Sequence, residues 1–269
     1  MNISPDLPHA ALAIATALVY VAAAARQLLT LDGRRRRAPW DVLVLSVLAV
    51  TSHIIMVLFD VRSGSIDLGF YKVSSLIFLI MGLISVLSLL VRPLQMVLIA
   101  TFPFSALAVL VSAFAPATGQ PMPGLSSGIL AHVISSLLAF GVLTLASLQG
   151  ALLSIQTQRL RRHNTRGIVR LLPALDTMEQ MFFELLAAGV LWLSVAVASG
   201  GLFVDDLLGQ KLVHKTVLTT LAWILLAMTL LIHWQRGLRI SSALTLTFIG
   251  YGLMAIGFFG SKLVVELLL

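Results

Sequence analysis

The 269-residue chain is 59% hydrophobic and only 11% charged, with a mean hydropathy of +1.02. Soluble domains carry about a quarter charged residues, so a single soluble core cannot bury this much apolar side chain and lipid must solvate part of it. The net charge of +7 does not indicate nucleic-acid binding, because the arginines fall in short loops between apolar runs and not on a folded basic face with interleaved aromatics.

Roughly 20 apolar residues cross a bilayer core. Runs near 9–30, 41–60, 71–91, 94–114, 128–155, 180–200, 212–234 and 241–265 predict an all-α polytopic fold, a bundle of eight transmembrane helices in one membrane domain, 1–269. The stretch Met1–His9 holds Asp6 but no Lys or Arg, so the first span reads as a retained anchor and not as a cleaved signal peptide. Arg34 to Arg37 follow that span and place the N-terminus outside.

Eight spans then sort the charges. Arg26, Arg34 to Arg37, Arg92, Arg159, Arg161, Arg162, Arg166, Arg170, Arg236 and Arg239 fall inside, which is 13 of the 18 basic residues. Arg62, Lys72, Lys211, Lys215 and Lys262 fall outside. A missed or extra helix would invert the downstream half and scramble this segregation, so both termini are expected on the outer, periplasmic side of a bacterial inner membrane.

Between the third and fourth spans, Arg92-Pro93 predicts a tight hairpin, because proline lacks the amide that would continue a helix. Pro103 predicts a kink in the fourth span. Ala115 to Ser127, with its prolines and glycines and no charge, reads as an irregular outer loop. The inner loop 156–175 is long and basic and is expected along the headgroups, and Asp176 and Glu179 have capping-box spacing before the sixth helix.

Polar residues at membrane depth are the candidates for chemistry, since they are costly there. No phosphate loop, HExxH or Gly-x-Ser-x-Gly motif is present, so nothing points to an enzyme. The absence of cysteine excludes thiolate metal sites and covalent haem attachment to this chain. His132 opens the fifth helix and His214 the seventh, and both helices enter from outside. Two such imidazoles at one depth can ligate a haem iron from both sides, or another metal that accepts nitrogen. The plainer alternative is that each histidine only hydrogen-bonds at a helix end.

His53 lies deeper, among Ile54, Ile55 and Met56, and needs a partner there. It reads as a haem ligand, a proton relay or a structural hydrogen-bonding group. Lys215 and Lys211, with Lys72 and Arg62, either pair carboxylates of a cofactor or extend to headgroups. Glu184 is expected to pair with an inner arginine. His163 and His233 read as solvated, and His9 as unconstrained. His132, Ser136, Ala139, Ala146 and Gly150 share one helix face, which permits close helix packing or room for a flat cofactor.

Three segments carry a family resemblance. Leu130-Ala-His132-Val-Ile-Ser-Ser-Leu-Leu-Ala-Phe140 resembles the helix bearing an outer haem-ligand histidine in the cytochrome c assembly (CcsA/CcmC-like) family. Phe70-Tyr-Lys-Val-Ser-Ser-Leu-Ile-Phe78 resembles the start of that family's third span. Val213-His-Lys-Thr-Val-Leu-Thr-Thr-Leu-Ala-Trp223 occupies the place of the helix after its tryptophan-rich motif. Met178-Glu-Gln-Met-Phe-Phe-Glu184 and Gly260-Ser-Lys262 are similar to the YpjD-like branch.

The resemblance spans about residue 40 to the end. It implies a haem-binding inner-membrane protein of cytochrome c maturation or haem handling, holding b-type, non-covalent haem. His132 and His214 would be the axial ligands, Lys211 or Lys215 would neutralise a propionate, and a protein partner of the cytochrome c or tetrapyrrole pathway is implied. Two departures stand out. The loop 200–212 holds no tryptophan, and Phe259-Gly-Ser-Lys262 lacks the second outer histidine, for which His214 would substitute. HemX-like relatives imply an alternative, a regulatory or scaffold protein that contacts its partner through the basic inner loop. A transporter using His53 and Glu184 is the third reading, and no internal repeat supports it.

Overall fold

The structure, a computed structural model, describes residues 7–30, 39–62, 66–67, 69–91, 95–115, 121–122, 126–163, 169, 171–203 and 213–260. Eight helices among these residues are long and apolar enough to cross a membrane. The chain divides into two compact units, each built on four of them.

The first unit holds α1 (Leu7–Thr30), α2 (Trp40–Arg62), α3 (Phe70–Val91) and α4 (Gln95–Phe114). Helix α1 packs on α2 and α4, and α3 also packs on α2 and α4, which closes a four-membered ring. Its core is built on Ala13, Ala17, Tyr20 and Ala23 of α1 against Val50 and Met56 of α2 and Leu98, Phe102 and Val109 of α4. The alanines let α1 approach its neighbours closely.

Helix α4 runs unbroken through Pro103. Ser105 donates hydrogen bonds to the carbonyls of Thr101 at 3.1 Å and of Phe78 at 3.4 Å, tying this segment to α3. Within the expected irregular loop, β2 (Pro121–Met122) pairs antiparallel with β1 (Ile66–Asp67), a two-residue ladder beside the helices.

The second unit holds α5 (Ser127–Arg161), α6 (Leu175–Phe203), α7 (Val213–Arg236) and α8 (Ile240–Ala255), the last continued by a π-helical segment, Ile256–Gly260. Helix α5 packs along α6 and against α8, while α7 packs on α6 and α8, so α5 and α7 stand at opposite corners. Glycines set the α5–α6 approach. A Cβ on Gly189 would lie 2.5 Å from the Leu143 side chain, and one on Gly128 would lie 2.4 Å from the Phe203 ring. Gly150 does the same work beside Leu244 and Phe182, so this member of the small-residue face serves packing.

Local chemistry sets the ends. The Ser126 hydroxyl accepts from the Ile129 amide at 3.3 Å and caps α5. Gly237, at φ +69°, lets its amide close back onto the His233 carbonyl and ends α7, a conformation that costs glycine least. Helix α6 starts at Leu175, so Asp176 lies inside its first turn and complements the helix dipole instead of preceding the helix as a cap. The outward faces carry exposed Leu18, Leu48, Leu87, Leu107, Leu191 and Ile249, the apolar surface that lipid covers.

Candidate functional site

The two membrane-depth histidines have different surroundings. In the first unit His53 is fully buried. Its Nδ1 lies 3.1 Å from the Tyr20 hydroxyl of α1, and its Nε2 lies 2.9 Å from the Ser75 hydroxyl of α3. Tyr20 also meets the ring of His53 and that of Phe102 edge-on, so the imidazole is held in orientation as well as in hydrogen bonding. With both nitrogens engaged, iron ligation by His53 would first have to break one of these bonds.

At the ends of α1, α2 and α3, Asp60 receives hydrogen bonds from Lys72 Nζ at 2.6 Å and from His9 Nε2 at 3.2 Å. His9 is therefore tied down, and Lys72 has a protein carboxylate as its partner.

In the second unit His132 is half-buried, and its Nδ1 lies 2.9 Å from the backbone carbonyl of Ala196 on α6. A carbonyl can only accept, so Nδ1 is the donor, and in the neutral ring Nε2 keeps its lone pair. The same carbonyl receives the Ser199 hydroxyl at 3.1 Å, which further fixes the acceptor. Gly200 forms the surface beside the ring: a Cβ there would come within 3.0 Å of His132 Cε1 and 3.2 Å of Nδ1. A ring held by a carbonyl at one nitrogen and unprotonated at the other is the arrangement in which histidine binds metals.

Below His132, by eight residues or about 12 Å along α5, Phe140 packs against Phe258 and Phe259 of the π-helical segment and against Tyr251. The Tyr251 hydroxyl is hydrogen-bonded to Thr144 at 3.0 Å. On its other side the segment abuts α7, where a Cβ on Gly257 would lie 3.2 Å from Leu218 Cβ and 3.6 Å from the Lys215 carbonyl. The aromatic segment thus bridges the helix of His132 and the first turns of the helix bearing His214. His214 itself is exposed and Lys215 half-buried, while Lys211 lies outside the described residues. Trp223 donates from Nε1 to Ser194 at 2.8 Å and fixes α7 on α6.

At the other end of this unit His233 is not solvated as expected. Its ring stacks on Phe183 with centroids 3.5 Å apart, in the wall of an open cavity of about 580 Å³ that Glu179, Glu184 and Trp234 also line. Gln180 donates to Glu184 at 2.9 Å. Among the described residues no group of three or more His, Asp and Glu side chains is placed to hold a metal ion. A cofactor iron held by one or two imidazoles does not need such a group.

Sequence reasoning missed Tyr20, Asp60, Ser199 and Gly200. Gly200-Gly201 read as the end of a span, whereas α6 continues to Phe203. The usable signal was a small residue on α6 at the depth of His132 in an antiparallel neighbour.

Comparison with known proteins gives the family. A family model described as cytochrome C assembly protein matches residues 42–269. An uncharacterized 28.8 kDa protein of Azospirillum brasilense is 28% identical over 167 residues, 59% of this chain and 62% of that relative. The inner membrane protein YpjD of Escherichia coli K12 is 24% identical over 141 residues, 52% of this chain and 53% of that relative. The aligned region thus spans less than two thirds of either relative, and no solved structure matches the chain. With most of its length matched by the model, this multi-pass membrane protein belongs to the cytochrome c assembly protein family.

Proposed function

We propose that the chain is a haem-binding protein of the bacterial inner membrane, acting in cytochrome c maturation or haem handling. His132 supplies one axial ligand through Nε2 and His214 the other. Both termini lie outside, and Lys215 or Lys211 neutralises a propionate. The observation that carries the reading is the His132–Ala196 hydrogen bond, because it puts the proton on the nitrogen that ligation does not use. The fit extends to the surroundings. The cysteine-free chain leaves His, Met, Tyr or Lys as iron donors, and the half-buried Phe258 and Phe259, packed on buried Phe140, offer apolar surface to a flat macrocycle. Bound haem would supply the redox chemistry, and the protein supplies ligation, orientation and exclusion of water.

Purified protein titrated with b-type haem should develop a bis-histidine absorption spectrum. That spectrum is expected to vanish in His132→Ala and to become that of a mono-histidine complex in His214→Ala. Unchanged spectra in both variants would overturn the ligand assignment.

A second reading has its own observation. Helix α5 is 35 residues long, about 52 Å, against a hydrocarbon core of about 30 Å. Its last turn and the following residue carry Arg159, Arg161 and Arg162, all exposed. In the scaffold reading this basic projection contacts a protein partner. Replacing those arginines with alanine should then abolish co-purification of that partner while haem content stays constant, and no co-purifying protein from mild detergent would remove its support.

A further inference from the structure

The first unit contains a second set of buried polar groups that haem ligation does not use. Along α1, His9, Thr16, Tyr20 and Gln27 are spaced by seven, four and seven residues; along α2, Ser46, His53 and Asp60 are spaced by seven. Such spacings return to one helix face at depths about 6–10 Å apart. Thr16, Tyr20, Gln27, Ser46 and His53 have no solvent exposure, and Ser75 and Ser85 of α3 are buried as well. The stripes face one another, since Tyr20 on α1, His53 on α2 and Ser75 on α3 form one hydrogen-bonded chain.

Serine and threonine in membrane helices usually return their hydroxyl to a carbonyl of the preceding turn. Ser105 and Ser88 do so here. Thr16, Ser46 and Ser85 do not: their hydroxyls are buried and have no hydrogen-bond partner among the described residues. An unsatisfied hydroxyl in a membrane interior is costly, and water is the ligand small enough to satisfy several at separate depths. The orphaned hydroxyls flank the Tyr20–His53–Ser75 chain. Thr16 is one turn from Tyr20 toward His9, Ser46 is two turns from His53 toward Asp41, and Ser85 is one turn from Gly82, which lies against the Tyr20 hydroxyl.

We propose that this column is a proton path through the first unit, with His53 as its relay and water seated at Thr16, Ser46 and Ser85. The chain Tyr20–His53–Ser75 can be drawn with either polarity. Tyr20 donates to Nδ1 while Nε2–H donates to Ser75, or Ser75 donates to Nε2 while Nδ1–H donates to Tyr20. A proton that arrives at one ring nitrogen and leaves from the other converts one pattern into the other, with no net change in bonds and no redox partner. Rotation of the two hydroxyls and tautomer exchange through water reset the relay. The charged groups at its ends are Asp60, Lys72 and His9 on one side and the Arg26–Asp41 pair on the other, so each mouth has a carboxylate that can pass a proton.

The test uses the full chain, without added haem, in liposomes containing a pH-sensitive dye, with a potassium gradient and valinomycin to drive and balance proton movement. Wild type should move protons at least tenfold faster than protein-free liposomes. Tyr20→Phe keeps the ring on Phe102 and removes only the hydroxyl, and it should lower the rate at least fivefold; His53→Leu should abolish it. Far-ultraviolet circular dichroism and gel filtration establish that both variants fold. Wild-type flux equal to that of empty liposomes, or a Tyr20→Phe variant as fast as wild type, would overturn the proposal. Neither result bears on the haem spectrum.

Discussion

His53 and His132 are the same side chain left in different states of completion. His53 spends both nitrogens on protein hydroxyls and is sealed from solvent, whereas His132 spends one on a carbonyl and keeps the other available. Under the roles proposed above, the number of nitrogens the fold consumes is what separates a proton relay from an iron ligand. Glycine is used similarly around both. Gly82 admits the Tyr20 hydroxyl to the face of α3, and Gly200 admits the His132 ring to the face of α6.

The largest effect that bears on this contrast is a difference in colour. His132→Ala should lose the bound-haem absorption completely, while His53→Ala should keep it under the same titration. Equal loss in both would mean that burial and hydrogen bonding do not distinguish the two roles.

A packing substitution should come next. Gly189→Leu drives a side chain into Leu143 where α5 and α6 approach closely, and overpacking of this kind costs about 1–3 kcal/mol. Thermal unfolding in detergent should show the drop. Gly200→Ala should cost less stability, yet it should displace the His132 ring and weaken haem binding. A variant that unfolds earlier with unaltered haem affinity would show that Gly200 serves packing alone.

Much of the fold was legible because lipid imposes length and polarity on each helix separately. Eight apolar runs predicted eight helices, and eight helices long and apolar enough to cross a membrane stand among the described residues. The site was legible only in part. His132 was visible as a polar residue in an apolar run, but its Ala196 partner is a backbone carbonyl, which no side-chain pattern reports. The tyrosine beside His53 is 33 residues away, and only the packing of α1 on α2 makes them neighbours. His233 read as solvated because it follows a span toward the basic side, whereas Phe183, fifty residues earlier, provides the ring it stacks on.

A double-mutant cycle sharpens the account of the buried pair. Tyr20→Phe and His53→Leu should each destabilise the protein, and their coupling should be about 0.6 kcal/mol, the average for hydrogen bonds inside a membrane protein, and no more than about 1.7 kcal/mol. That is modest because the unfolded chain in a membrane also finds partners for its polar groups. Zero coupling would mean that the tyrosine is held by its edge-on contact with Phe102 and not by the imidazole.

The smallest effect belongs to the mouth of the same column. Asp60 accepts from Lys72 and His9, yet its side chain and that of Lys72 are 29% and 24% exposed, so water and salt screen the pair. Asp60→Asn should therefore cost only about 0.2–1 kcal/mol of stability, and the difference from wild type should shrink at high salt. Its effect on proton flux should be larger than its effect on folding, because the carboxylate is the group that hands protons to the column. An Asp60→Asn protein with wild-type flux would move the entrance elsewhere, so that the Asp60–Lys72–His9 cluster and the buried histidine would not form one path.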